Sequence, residues 1–135
     1  MRNLFFLLVI TGLLVNFSCK KTESERFTFL TGAIWVTDSL VANGQDAGGP
    51  GQLLADFSGE ARFNKDGTGS FGNYTGEWSF SSDETQLVIK TNAIAFPVTA
   101  DIKELTKVSL KLTTVMPNPM DIQNPYRIRM TFKAK

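Results

Sequence analysis

Apolar and polar residues alternate along most of this chain, with the period of a β-strand rather than of a helix. Over 74–80 the residues Tyr74, Gly76, Trp78 and Phe80 share one face. Near the C-terminus Tyr126, Ile128, Met130 and Phe132 alternate with Arg127, Arg129, Thr131 and Lys133. Successive Cβ atoms of a strand point to opposite faces, so each such segment has one side for a core and one for solvent. The pattern predicts eight strands, over 34–41, 53–64, 68–71, 74–80, 85–90, 96–103, 108–113 and 126–133. In the second, Leu53, Ala55, Phe57, Gly59, Ala61 and Phe63 form the apolar face, and Leu54 breaks the split. The first has apolar residues on both faces, Trp35 and Val41 against Ile34, Val36 and Leu40, which leaves its inward side open. No segment keeps a helical period over ten residues.

Eight antiparallel strands with one apolar face each must close on themselves or form two layers. The expected fold is all-β, an eight-stranded antiparallel up-and-down β-barrel, with a β-sandwich as the alternative; closure removes exposed edges. A transmembrane barrel would need outward apolar bands of about 9–11 residues per strand, and the outward faces here are polar. Connections of an up-and-down barrel alternate between its two ends. The turns at 65–67, 81–84 and 105–107 are tight and share one end. Asp66-Gly67 at the first of them tolerates the positive φ of a sharp reversal. The stretches 42–52, with four glycines and a proline, and 115–125, with three prolines and two methionines, are long and share the other end. A cup results, closed below and open above.

Depth along the strands then sorts the inward residues. Trp35, Phe63, Trp78, Phe80 and Phe132, with Leu87 and Val108, belong to the closed end as structural packing. Candidate ligand-lining residues on the mouth side are Val41, Leu53, Phe57, Tyr74, Phe96, Leu112, Tyr126 and Ile128. A barrel of this size is wide enough to be filled by its own side chains or to hold one small ligand. The bulky inventory predicts a filled lower half, with any cavity above it, apolar, and Tyr74 and Tyr126 as its polar handles.

The first residues read differently. Arg2 precedes an apolar run over 4–15, too short for a bilayer span of about 20 helical residues, so residues 1–18 are expected to be a signal peptide. Ser18-Cys19 at its end resembles a bacterial lipoprotein signal, in which the cysteine is lipidated and becomes the first mature residue. Residues 19–29 then read as a polar tether, leaving 30–135 as the barrel domain and making Cys19 the membrane anchor.

Composition removes several chemistries. With 135 residues there is one domain, and a net charge of +1 with no long charged run gives no electrostatic case for nucleic acid. There is no histidine and one cysteine, so Cys/His zinc sites, histidine-based triads and an internal disulfide are excluded by inventory. General acid–base work needs two carboxylates in one site. Asp56, Glu60, Glu77 and Asp101 all fall on outward faces, and Asp38 is inward only if the Ile34–Leu40 face is. No enzyme, no metal and no cofactor is expected.

The segments Phe63-Asn64-Lys65-Asp66-Gly67 and Gly76-Glu77-Trp78-Ser79-Phe80, with Gly32 ahead of Trp35, resemble the lipocalin-like domains of Bacteroidetes-type lipoproteins over about 30–133. The spacing of Gly32 and Trp35 is one residue longer than the Gly-x-Trp of lipocalins. The resemblance implies an outer-membrane lipoprotein with a barrel that takes a small hydrophobic ligand. A structural or protein-interaction role, with a filled core and the long loops as contact surface, is the alternative.

Overall fold

The computed structural model describes residues 22–135. Cys19 and the segment 1–18 lie outside the described residues. The strands, in chain order, are β1 (Ile34–Ala42), β2 (Gln45–Asp46), β3 (Glu60–Phe63), β4 (Thr68–Phe71), β5 (Tyr74–Phe80), β6 (Gln86–Thr91), β7 (Val98–Leu105), β8 (Ser109–Met116) and β9 (Tyr126–Ala134). From β3 onward each pairs antiparallel with the next, and β1 joins β3 on one side and β9 on the other. The β1–β9 ladder runs from Trp35↔Ala134 to Ala42↔Ile128 and closes an eight-stranded up-and-down barrel. That ladder decides against the sandwich, because two packed sheets would leave both strands as edges. β2 is an additional two-residue arm folded back on the end of β1.

The ambiguous inward face of the first strand has a physical answer. The β1–β9 register shifts between Thr37 and Ser39, so Asp38 is the extra residue of a bulge. A bulge reverses the alternation beyond it. Trp35 before it and Leu40 after it, though of opposite parity, both point inward, at 0% and 1% exposure. Asp38 is thrown outward to pair with Lys133 at 3.0 Å, which removes it as an interior acid. Val41 is turned away from the interior for the same reason and lines a groove on the outer surface. β7 has a second register shift between Ile102 and Glu104, again bringing residues of opposite parity, Ala100 and Leu105, into the core.

The tight turns gather at one end as expected, and a helix covers that end. α1 (Glu25–Thr31) occupies residues that read in the sequence as the end of a tether and the lead-in to the barrel. At seven residues it is too short to show a period. Ser24 caps it, its hydroxyl accepting the Phe27 N–H at 3.0 Å. Leu30 is driven fully into the core, and the Trp35 indole N–H donates to the Leu30 carbonyl at 3.0 Å. Arg26 Nε donates to the Glu84 carbonyl at 3.0 Å, tying the helix to the β5–β6 turn. Phe27 stacks against Trp78 with ring centroids 5.7 Å apart, and Trp78 in turn meets Phe63 and Phe80 edge-on at 5.6 and 5.4 Å. Trp78 Nε1 donates to the Asn64 carbonyl at 2.9 Å, so both tryptophans are satisfied structural groups.

Asp83 organises the β5–β6 turn. Its carboxylate accepts the Thr85 and Ser81 hydroxyls, both at 2.8 Å, and the Thr85 N–H at 3.2 Å. These bonds, the Thr85 hydroxyl first, hold its pKa down from 3.8 to about 2. A depressed carboxylate stabilises the fold above its ordinary pKa, and the contribution is lost as pH falls through the folded value. Asp83→Asn is therefore expected to melt below the parent protein at neutral pH, with the difference closing between 3.8 and about 2. Melting curves across that range test it; a gap independent of pH would show that the charge is not responsible.

Candidate functional site

The interior is packed from the base to past its middle. Trp35, Phe63, Trp78, Leu87 and Phe132 are buried as expected, and Phe80 is half-buried against the Trp78 edge. Val108 departs from expectation. It sits in the turn before β8, two-thirds exposed, because that strand begins at Ser109 and its inward residues are Leu110 and Leu112.

Above the plug lies an apolar cavity of about 30 Å³. Phe57, Leu112 and Ile128, three of the expected lining residues, form part of its wall. Ile94, Val98, Thr114, Met116 and Met130 complete the mouth side. One water needs about 10–15 Å³ of such space and at least two polar partners. This cavity has the room and lacks the partners, so its chemistry favours a slim apolar group.

Five expected lining residues lie elsewhere. Val41 is on the outer surface for the reason given by the Asp38 bulge. Leu53 is 49% exposed because the segment 53–64 is not one strand: a 3₁₀ turn, Ala55–Phe57, interrupts it and β3 begins only at Glu60. Phe96 is 46% exposed in the loop before β7, where Pro97, lacking an N–H, keeps the chain out of the ladder. Tyr74 and Tyr126 are half-buried rim residues outside the cavity wall.

Leu54, the residue that spoils the alternation of 53–64, covers the cavity. It is 1% exposed and reaches inward from the irregular stretch 47–59. Gly51 (φ +75°) and Gly59 (φ +117°) adopt left-handed backbone that side chains resist, which lets this stretch curl over the mouth. Its N-terminal half hangs on β1 through Ala47 N–H to the Leu40 carbonyl, 2.8 Å, and Leu54 N–H to the Ala47 carbonyl, 2.8 Å. Its C-terminal half is latched by Asp56. The Asp56 carboxylate accepts Asn73 Nδ2 and the Tyr74 hydroxyl, both at 3.1 Å, and the Asp56 carbonyl accepts the Asn73 N–H at 2.8 Å. Phe57 packs edge-on against Tyr74 at 4.8 Å. Tyr74 is thus a latch for the cover rather than a handle for a ligand.

Burial first, then the bond and charge of Asp56, raise the Tyr74 pKa above 10.0. A group whose folded pKa is raised stabilises the fold below its unfolded value, and the contribution is lost as pH rises through the folded one. In Tyr74→Phe the backbone amides of Leu54 and Phe57 are expected to exchange at least about tenfold faster at neutral pH, the low end of the worth of a hydrogen bond to a charged group. Unchanged exchange at both amides would show that the hydroxyl does not hold the cover.

Among the described residues Leu53, Phe96, Met120 at 92% and Ile122 at 88% stand exposed in the mouth-side loops. The last two come from the Pro/Met loop 117–125 that joins β8 to β9. Comparison of the sequence with protein-family models finds no match, and comparison with curated proteins finds none.

Proposed function

We propose that this chain is an exported cell-envelope protein, lipid-anchored at the outer membrane through Cys19, whose lipocalin-like barrel takes a small hydrophobic ligand from the mouth side. The observation that carries the binding reading is the cavity itself: apolar, in the mouth half, and sealed by one leucine on a glycine-hinged cover. Its size selects a slim group. Met116 and Met130 in its wall are flexible thioethers that repack around a guest at low cost. The function is binding rather than catalysis. Asp38 faces outward in an ion pair, and Asp56, on the cover, is engaged by Asn73 and Tyr74 of the barrel.

Neutral hydrocarbons of increasing width test the reading. The narrow ones are expected to raise the Tm and to shift the methyl signals of Met116 and Met130, with the effect fading for bulky rings. No shift and no stabilisation across the series would end it. The anchor has its own test: Cys19→Ser should release the protein from the membrane fraction, and retention there would refute lipidation at this residue.

The exposed Leu53, Phe96, Met120 and Ile122 favour a second reading, in which the mouth-side loops are a protein contact surface. Removing residues 118–123 without losing any crosslinked partner would exclude the Pro/Met loop from such a surface.

A further inference from the structure

The interior cavity and a groove on the outer surface share two wall residues, Thr114 and Ile128. The reason is a parting of the barrel wall. β7 and β8 are paired from Leu105↔Leu110 to Asp101↔Thr113, whereas β8 and β9 stay paired up to Met116↔Tyr126. Above Asp101 the β7–β8 ladder has therefore ended while the β8–β9 hairpin continues. Thr114 Oγ1 reaches across this seam and donates to the Thr99 carbonyl at 2.7 Å.

The groove outside the seam measures about 640 Å³ and carries Val41 and Val115 alongside Arg127 and Arg129. The two arginines occupy successive outward positions of β9. Among the described residues neither guanidinium has a carboxylate within 4.0 Å. Their basic neighbours on the same outer face do: Lys111 pairs with Glu104 at 3.1 Å and Lys133 with Asp38 at 3.0 Å. The groove's own acid, Asp101, accepts Gln86 Nε2 at 2.8 Å. A cationic pair beside the half-buried Val41 and the exposed Val115, on a wall shared with an apolar cavity, is amphiphilic by construction.

We propose that the seam and groove form a lateral binding site for a single-chain anionic amphiphile, its head on Arg127 and Arg129 and its chain end passing Thr114 into the cavity. The proposal rests on the reading of the cavity as a binding space and adds the chemistry of the head and the route. Outward neighbours on one strand lie about 6.6 Å apart, and β9 is about 10 Å from β7, two strand spacings. A head between the two guanidiniums therefore sits beside the seam and not over the mouth. A planar guanidinium fork matches carboxylate or phosphate oxygens equally, so both heads belong to the class. At about 30 Å³ the cavity admits a chain end and not a ring or a branched group without side-chain movement.

Titration calorimetry on the full chain carrying Cys19→Ser tests it, with octanoate, octyl phosphate, octanol and inorganic phosphate as probes. The two charged amphiphiles are expected to bind at least about tenfold more tightly than octanol, the worth of one charge-assisted hydrogen bond or more. Arg127→Gln with Arg129→Gln should reduce octanoate to the affinity of octanol without lowering the Tm. Thr114→Trp, which fills the seam, should weaken both amphiphiles; Thr114→Leu serves if the tryptophan variant melts early. Equal binding of octanoate and octanol, or octanoate binding unaffected by the arginine or Thr114 changes, overturns the proposal while leaving a mouth-side ligand in place. Inorganic phosphate binding as tightly as octyl phosphate also overturns it, by showing a head site without a chain. If no octyl probe binds and the neutral hydrocarbons do not bind either, the proposal and the binding reading fall together.

Discussion

Trp35→Ala is expected to lower the Tm by about 10–20 °C, the largest effect of any single side-chain truncation in the barrel. The indole is fully buried, and burying a tryptophan is worth about 3–5 kcal/mol against alanine. A domain of this size has a total stability of about 5–15 kcal/mol and loses a few degrees per kcal/mol. The location compounds the loss. Trp35 Nε1 satisfies the Leu30 carbonyl in the last turn of α1, and Leu30 is itself fully buried. Truncation therefore leaves a cavity at the base and an unpaired carbonyl in the helix that covers it. Trp35→Phe separates the two effects by keeping most of the volume and removing the donor. It should recover more than half of the lost Tm, with fast amide exchange persisting in α1. If both variants melt together with the parent, the helix is not coupled to the barrel through this residue.

The barrel was legible because its causes are local and repetitive. Two-residue periodicity fixes which residues face inward, tight turns fix antiparallel neighbours, and an up-and-down chain alternates ends without exception. The same logic placed Phe63, Trp78 and Phe132 at the base and Leu112 and Ile128 in the upper wall. The misplaced residues share a cause, which is a break in period that propagates. One bulge at Asp38 exchanged Val41 for Leu40, and a 3₁₀ turn at Ala55–Phe57 exchanged Leu53 for Leu54. A bulge carries no fixed residue signature, so its position cannot be read without the partner strand. The helix α1 escaped for a different reason: seven residues offer one buried position, Leu30, and one point has no period. The signals that were present were exceptions, namely apolar residues on both faces of the first strand and a leucine out of phase at position 54.

The leucine out of phase, Leu54, lies on the mouth side, and the two ends of the barrel are held differently. The base is held by groups that cannot move separately: a capped helix, two satisfied indoles and a chain of aromatic edges from Phe27 through Trp78 to Phe63 and Phe71. The mouth is held by discrete bonds at Ala47, Leu54 and Asp56 and by one plug, over backbone that is left-handed at Gly51 and Gly59. Regions that must open to admit a ligand are drawn from the less stable parts of a structure. Under the proposed binding, the packed base is the floor and the stretch 47–59 is the part that opens.

Leu54→Ala should then produce two changes that a purely structural leucine would not produce together. The first is a loss of stability of about 2–5 kcal/mol, the range for truncating a buried leucine, with the lower end expected because the cover can collapse into the space. The second is a gain of binding. The resident cavity of about 30 Å³ is enlarged by the three carbons removed, toward the size at which engineered apolar cavities accept benzene, about 150 Å³. Saturating benzene is expected to restore part of the lost Tm in the variant and none in the parent, since a ligand stabilises by RT ln(1 + [L]/Kd) only where it binds the native state. The control is Leu110→Ala, equally buried but outside the cavity wall, which should lose comparable stability and recover nothing with benzene. Equal recovery in both variants would mean that any buried leucine of this barrel leaves a benzene site and that Leu54 has no special relation to the mouth. Recovery in Leu54→Ala alone, accompanied by faster exchange at Phe57 but not at Leu110, would identify Leu54 as the side chain that a ligand displaces.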